Sequence, residues 1–283
     1  MLFPTPYFRE SHPTQKGSNP WWPRPYLKYM SNKENISQLQ RKPQDWNMDK
    51  NKMSAVTTDN ASNNIKAFSQ KYTWIPCFGH NLDLATDKAL AIDRVSSTLS
   101  RLRKTVSAFS RSPKMSRLLL EKQTDLGLPQ KNLLHDTPTR WSSGYDIVER
   151  FLEQQQAVSA ALATERKKWH LMPRDSDMTT LETVKEVLGP LRRFTDVLSG
   201  EKLPTITAVL VVMWDISSCL AASEDDAPLC REMKAKVLED NNKRYADMDL
   251  QIILNCVTYL DPRFKDTFVA MTPEVKERLD QGH

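Results

Sequence analysis

The sequence lacks any apolar run that approaches the roughly 20 residues a helix needs to span a bilayer. Its opening stretch, MLFPTPYFRESHPTQKGSNPWWPRPY, also lacks the apolar core of a secretory signal peptide. We therefore expect no membrane partner and no passage through an oxidising compartment. The four cysteines are accordingly expected to be reduced thiols, because disulfides are rare in chains that are not secreted. They are Cys77, Cys219, Cys230 and Cys256.

The chain also has little net charge, but its charges are unevenly distributed. The 283 residues carry a net charge of +5. Residues 51–145 hold fourteen Lys and Arg against seven Asp and Glu, whereas residues 146–283 hold eighteen against twenty-four. The basic middle block could face a polyanion, and the C-terminal half could not do so uniformly. The alternative is an ordinary soluble surface with uneven charge.

Regular structure is not expected at the N-terminus. Prolines at positions 4, 6, 13, 20, 23 and 25 interrupt any helical or strand periodicity. We predict that residues 1–44 form a disordered segment unrelated to the rest of the chain. The stretch NPWWPRPY has the composition of a proline-rich docking segment, and a plain linker is the alternative.

Strands are expected only near residues 53–77. There MSAVTTD and TWIPC combine small, β-branched and aromatic residues. A long helix with apolar residues at helical spacing is predicted from Asn81, with a break near Asp93. A glycine at position 127 is expected to end a later helix. Further helices are predicted over residues 114–126, 143–168, 179–199, 204–222, 226–245 and 248–257, with a final helix from Pro273.

Asp59 follows the first predicted strand, within TTDN. Metal-dependent nucleases mount carboxylates at strand ends because the strand fixes the backbone rigidly. They need two or three such groups to hold two Mg²⁺ ions about 3.5–4 Å apart. An Asp-Asn pair is also a common turn or helix cap. The sequence therefore leaves Asp59 open between a metal ligand and a turn residue.

Cys77 and His80 have half of the spacing of a zinc site. A structural zinc site needs four ligands. The other cysteines lie more than 140 residues away within predicted helices, and the remaining histidines are isolated. We interpret Cys77 and His80 as a structural pair, a buried thiol beside a hydrogen-bonded imidazole, and we predict no metal site.

Arg140 and Trp141 place a planar cation beside a large aromatic ring. Such a pair can stack on a base or contact a phosphate. A tryptophan in this position can equally close a core between two elements. Both interpretations stay open, and the two residues are candidates for DNA contact.

Three motifs in this order are much more specific than each motif alone. TTDNASN is followed by WIPCFGHNLDL and then by DTPTRWSSGYDIVERFLEQ. Together they resemble the hAT transposase superfamily, in particular its domesticated relatives, the zinc finger BED domain-containing proteins. Downstream, LGPLRRFTDVLSGEKLPTITAVLVV and YLDPRFK resemble the helical insertion region of the same family. The resemblance covers roughly residues 45–270.

The resemblance implies a role for each candidate residue. Asp59 matches the second acidic residue of the family's Asp-Asp-Glu triad. Cys77 and His80 match a Cys-x-x-His motif of the transposase core, which is separate from the BED zinc finger. Arg140 and Trp141 match the family's Arg-Trp pair, in which the tryptophan lies near the DNA.

The departures from the family pattern decide the expected activity. Residues 1–50 contain no BED finger, and the stretch D-x-W-T-S that carries the first aspartate is not found upstream. In the family, the catalytic glutamate and the dimerisation segment S-E-R-x-F-S are expected after the insertion region. The sequence up to His283 does not reach either of them. One carboxylate of three remains, so we predict that the chain is not an enzyme and needs no cofactor. Mg²⁺ is expected only if a longer chain completed the triad.

The predicted fold is mainly α with a small α/β part. Residues 45–145 are expected to form a partial RNase H-like transposase core and residues 146–283 an all-helical insertion domain. We expect a non-catalytic, transposase-derived protein fragment in the nucleus, with weak and salt-sensitive DNA binding, and with no small-molecule substrate. One alternative is an active DDE-type transposase in a longer isoform or with a partner subunit. The other is a helical module that binds protein partners through residues 146–283.

Overall fold

The computed structural model describes residues 55–69, 72–136, 141–198, 206–265 and 267–280. The predicted disordered segment 1–44 lies outside the described residues. The described chain is mainly helical with one small sheet, which confirms the predicted fold class. Its elements are β1 (Ala55–Thr58), α1 (Ser62–Phe68), β2 (Thr73–Pro76), α2 (Phe78–Leu90), α3 (Asp93–Ser110), α4 (Pro113–Asp125), α5 (Trp141–Thr164), α6 (Asp175–Leu198), α7 (Val209–Cys219), α8 (Pro228–Arg244), α9 (Met248–Leu260) and α10 (Pro273–Asp280).

Two short 3₁₀ helices complete the described fold. They are Arg166–Leu171, which lies between α5 and α6, and Ile206–Ala208, which precedes α7 directly. None of the described helices combines the length and the apolar composition needed to cross a membrane.

The sheet consists of two parallel strands in the part of the chain where strands were predicted. Ala55 lies opposite Thr73, and Thr58 lies opposite Pro76. Helix α1 connects the strands and buries Phe68 against Trp74 and its neighbours. The Trp74 indole N–H also donates to the Thr58 hydroxyl at 2.8 Å. Because the strands are parallel, β1 and β2 both end at the same edge of the sheet.

The predicted helix break near Asp93 is confirmed. Helix α2 ends at Leu90 and α3 begins at Asp93, with Ala91 and Ile92 between them. The apolar stripe continues on both sides of the break, so both helices face the core. Its fully buried members include Leu82, Ala85, Ala89, Val95 and Val106.

The predicted glycine stop after α4 is also confirmed. Gly127 has a φ of 66°, a left-handed conformation that glycine adopts without steric cost. The Leu128 N–H donates to the Gln123 carbonyl at 2.8 Å, and the Gly127 N–H donates to the Thr124 carbonyl at 3.1 Å. This pair of hydrogen bonds is the Schellman motif, which satisfies carbonyl groups at the helix end.

A single cluster of buried side chains extends from Ile75 in β2 to Leu254 in α9. Helix α2 packs extensively along α8 and also contacts α5 and α6. Residues on both sides of position 145 therefore share one core. The division into domains at 145/146 stays a prediction.

The segment YLDPRFK forms a turn that an ion pair closes. Asp261 follows α9, and Pro262 cannot continue the helix. The Asp261 carboxylate accepts hydrogen bonds from the Arg263 backbone N–H at 3.0 Å and from its Nη2 at 2.6 Å. Arg263 Nη2 also donates to the Thr207 hydroxyl at 3.3 Å, which links the turn to the 3₁₀ helix that precedes α7. The Arg263 guanidinium lowers the pKa of the largely buried Asp261 to about 2.

We expect Asp261→Asn to lower the free energy of unfolding at pH 7 by about 1–2 kcal/mol, because Arg263 is partly exposed and the pair is screened. A depressed carboxyl pKa stabilises the fold above the unfolded value of 3.8, and this stabilisation is lost as the pH falls through about 2. The difference between wild type and variant should therefore shrink on going from pH 7 to pH 3 in urea unfolding. An equal difference at both pH values would contradict the assignment.

Candidate functional site

Asp59 lies directly after β1 and is half-buried. Its Oδ1 accepts hydrogen bonds from the Ala61 backbone N–H at 3.2 Å and from the Asn64 side-chain amide at 2.5 Å. Asn64 is buried in α1. The carboxylate therefore holds the turn that leads from the strand into the helix, as Asp side chains commonly do.

Cys77 lies at the corresponding position after β2. Its backbone N–H donates to the Thr58 carbonyl at 2.8 Å, so the ends of the two strands lie side by side. The backbone N–H groups of Gly79 and His80 in the first turn of α2 lower the pKa of the thiol less than burial raises it. Burial raises the pKa of the Cys77 thiol, and the charge of Asp59 adds to this effect. A protonated thiol is a poor metal ligand, because the thiolate is the form that binds metal.

His80 is half-buried in the first turn of α2. Among the described residues, there is one group of at least three potential metal ligands whose ligand atoms all lie within 4.8 Å of one another. Asp59, Cys77 and His80 are not part of this group. The described residues therefore do not fit the Mg²⁺ pair that the resemblance implies. The roles predicted for these three residues stay predictions.

A chain of hydrogen bonds connects the strand ends to the helices. The Asn60 amide donates to Asn81 Oδ1 at 2.6 Å, and the Asn81 amide donates to the Tyr245 hydroxyl at 3.0 Å. Asn81 lies in α2 and Tyr245 follows α8, and each is only 1% exposed. Burial raises the pKa of Tyr245 above its ordinary value, so the hydroxyl keeps its proton at neutral pH. The ring also packs on Phe78, with centroids 5.5 Å apart.

The sequence offered little signal for this chain of hydrogen bonds. Asn81 was predicted only as the start of an amphipathic helix, and Tyr245 only as the end of another. A buried asparagine inside an apolar helical stripe is the one local sign that a partner is needed, because buried amides are rarely left without hydrogen bonds.

The group of potential metal ligands consists of Glu186, Asp226 and Cys230. A lysine of the protein already neutralises the carboxylate of Asp226. Lys234 Nζ lies 2.7 and 2.9 Å from the two Asp226 oxygens. Lys234 lowers the pKa of Asp226, whereas burial raises the pKa of the Cys230 thiol. This cluster was not predicted from the sequence. Its ion pair between Asp226 and Lys234, which is largely buried, joins α8 to the loop that precedes it.

The remaining two candidates are Trp141 and Arg140. Trp141 is the first residue of α5, and Arg140 lies outside the described residues. Their predicted contact with DNA stays a prediction.

Comparisons with known proteins show which proteins this chain is similar to. Residues 75–187 match the family described as the ZBED1 RNase-like helical domain. Over 105 residues, 37% of the chain, the sequence is 34% identical to human zinc finger BED domain-containing protein 4. Over 230 residues, 78% of the chain, it is 26% identical to human zinc finger BED domain-containing protein 6 and 27% identical to the mouse protein of that name.

The chain is thus similar to BED-type, hAT-derived proteins. The matches support the resemblance inferred from the three motifs, since residues 75–187 contain the third motif and all of the second motif except Trp74. The aligned segments make up 9% of the zinc finger BED domain-containing protein 4 and 23% of each protein 6. The chain therefore spans less than a quarter of the length of the relatives it matches.

Two substitutions at Asp59 separate its turn contacts from its charge. Asp59→Asn keeps an acceptor at Oδ1, whereas Asp59→Ala removes it. We expect the alanine variant to lose about 1 kcal/mol in the free energy of unfolding, as loss of a capping acceptor does, and the asparagine variant to lose little. Urea unfolding of both variants measures the difference. Equal losses would show that the charge, rather than the acceptor, holds the turn.

Tyr245→Phe should destabilise the protein by about 1–3 kcal/mol, because it leaves the buried Asn81 amide without its acceptor. Tyr259→Phe is the matched control, since Tyr259 is 38% exposed. That variant should change the stability by less than about 0.5 kcal/mol. Thermal and urea unfolding report both values, and similar losses in the two variants would argue against the role given to the Tyr245 hydroxyl.

Proposed function

We propose that this chain belongs with the zinc finger BED domain-containing proteins, is non-catalytic and acts by binding nucleic acid through its basic middle block. The observation that carries the proposal is a run of residues without acidic side chains. Residues 94–120 contain seven Lys and Arg and no Asp or Glu. They form most of α3 and the first half of α4. A long cationic surface of this kind favours a repeating polyanion such as DNA.

The cations of this run are mainly exposed. Three of them are paired with carboxylates from other parts of the chain: Arg101 with Asp177, Arg103 with Asp136 and Lys114 with Glu165. Among the described residues, no carboxylate pairs with the others, which are Arg94, Lys104, Arg111 and Arg117. These four exposed side chains are available to contact phosphates.

The contacts of Asp59 support the non-catalytic part of the proposal. Its Oδ1 already accepts two hydrogen bonds that fix the turn after β1. A two-metal nuclease needs further carboxylates around the same ions, and no described group of ligands includes Asp59. A lone carboxylate holds Mg²⁺ weakly because this ion gives up its water reluctantly.

We also propose a nuclear location, where DNA is available, and imaging of the tagged full chain tests it.

Fluorescence anisotropy with a labelled 20-nucleotide DNA, single-stranded or duplex, tests the binding. We expect the affinity of the full chain to fall steeply between 50 and 200 mM salt, because each phosphate contact releases counterions. Four contacts to duplex DNA give a slope of about −3.6 in log K against log salt. Absence of binding at 50 mM salt, or binding independent of salt, would overturn the proposal.

Incubation of the same DNA with Mg²⁺ or Mn²⁺ tests the absence of catalysis. We expect no strand cleavage by the wild-type chain, and identical results for Asp59→Asn. Cleavage that requires the Asp59 carboxylate would show that the chain is an active nuclease.

A further inference from the structure

A second stretch without acidic residues lies in the C-terminal half. Residues 166–174, RKKWHLMPR, contain four Lys and Arg, one His and no Asp or Glu. Most of the stretch is the 3₁₀ helix Arg166–Leu171. The net charge of the C-terminal half, which is negative overall, hides this local excess of positive charge.

The fold places this second stretch beside the first. The Thr105 hydroxyl in α3 donates to the Leu171 carbonyl at 3.1 Å. Lys114 at the start of α4 pairs with Glu165, immediately before the 3₁₀ helix. Lys114 lowers the pKa of Glu165, with a smaller contribution from Lys167 and Lys168, so these cations share one region of the surface. Two cationic stretches that are far apart in the sequence therefore form one surface.

A cavity of about 210 Å³ lies between the two stretches. Cationic side chains from both line it, and its floor is apolar. Its one lining carboxylate is Asp177, which is buried and paired with Arg101. The lining cations are Arg101, Lys104 and Arg174, His170 also lines the cavity, and the apolar lining includes Leu102, Phe151, Leu171, Met172 and Leu181. A cationic rim over an apolar floor suits a ligand with both phosphate and ring surfaces.

Trp169 adds an aromatic surface to the same stretch. Its side chain is 53% exposed, although its indole N–H donates to the Ala163 carbonyl at 3.1 Å and so fixes the ring. The Arg166 guanidinium lies 5.7 Å from the ring centroid. Residues three apart in a 3₁₀ helix lie on the same side, which explains this pairing. Bases of single strands stack on aromatic rings held in this way.

We propose that residues 94–120 and 166–174 form one binding surface for single-stranded nucleic acid, with phosphates on the lysines and arginines and an unpaired base on Trp169. This inference rests on the proposed nucleic-acid function and names its surface. The repeated cations fit a phosphate backbone, and the exposed tryptophan distinguishes a nucleic acid from an acidic peptide. A base in a duplex is already stacked, so the tryptophan favours a single strand.

The first test uses Lys104→Ala/Lys167→Ala, which removes one exposed lysine from each stretch. The probe is a fluorescein-labelled 20-nucleotide oligothymidylate, and the full chain is used throughout. We expect the double variant to bind more weakly and to reduce the salt slope by about 1.4, since each single-strand phosphate contact contributes about 0.7. The matched control is Lys236→Ala/Lys243→Ala, which removes two exposed lysines from α8 and should leave the slope unchanged.

The second test removes the aromatic ring. We expect Trp169→Ala to weaken oligothymidylate binding by about 5- to 150-fold, the range for loss of one stacked base, with the salt slope unchanged. Binding to a 20-base-pair duplex should not change. Trp169→Phe keeps a ring without the indole N–H and should retain most of the affinity. Trp214→Ala, at an equally exposed tryptophan of α7, is the control.

The outcomes separate this inference from the proposed function. If the wild type binds oligothymidylate, and the lysine double variant and its control bind it equally well, the proposed surface is overturned. The proposed function stays intact in that case. Absence of binding by wild type would overturn both. Equal losses in Trp169→Ala and Trp169→Phe would exclude stacking, and stronger binding to duplex would exclude the single strand. Displacement of the probe by polyglutamate as readily as by unlabelled oligothymidylate would indicate an acidic peptide as partner.

Discussion

The packing of α2 against α8 depends on the satisfaction of polar groups at the start of α2. The helix carries an apolar face into the core together with Asn81, whose amide would be costly to bury alone. Asn60 and Tyr245 satisfy that amide from opposite sides. Cys77 is the N-cap residue of the helix, and its carbonyl accepts a hydrogen bond from the Asn81 backbone N–H at 3.0 Å. A two-stranded sheet is marginal by itself, and this anchored helix connects it to the main core.

The strand ends and the basic surface therefore have different roles. At the strand ends, residues that resemble transposase motifs make local structural contacts: the Asp59 carboxylate holds a turn, and the Cys77 backbone N–H donates to the Thr58 carbonyl at the end of β1. The exposed cations lie instead on α3, α4 and the 3₁₀ helix before α6. The residues that hold the strand ends together are therefore not the residues that form the basic surface.

The sequence predicted those parts of the fold that local chemistry determines. Apolar spacing predicted the helices, Gly127 predicted the end of α4, and β-branched residues placed both strands. The unpredicted parts come from contacts between distant residues. Nothing near Asn81 identifies Tyr245 as its partner, and nothing near Asp226 marks Lys234 as a buried cation. Net charge summed over long blocks likewise concealed the stretch 166–174, because its neighbours in the sequence are acidic whereas its neighbours in space are basic.

The hydrogen bond between Asn81 and Tyr245 joins residues 164 positions apart. Ribosomes add about 5–20 residues per second, so α2 leaves the ribosome roughly 8–30 s before its partner helix is complete. During that time its apolar face and the open edges of the two-stranded sheet have no native cover. Such contacts between distant residues also slow folding, because a long loop must close first. The order of synthesis thus leaves apolar surface of α2 and the sheet exposed until the C-terminal helices have been made.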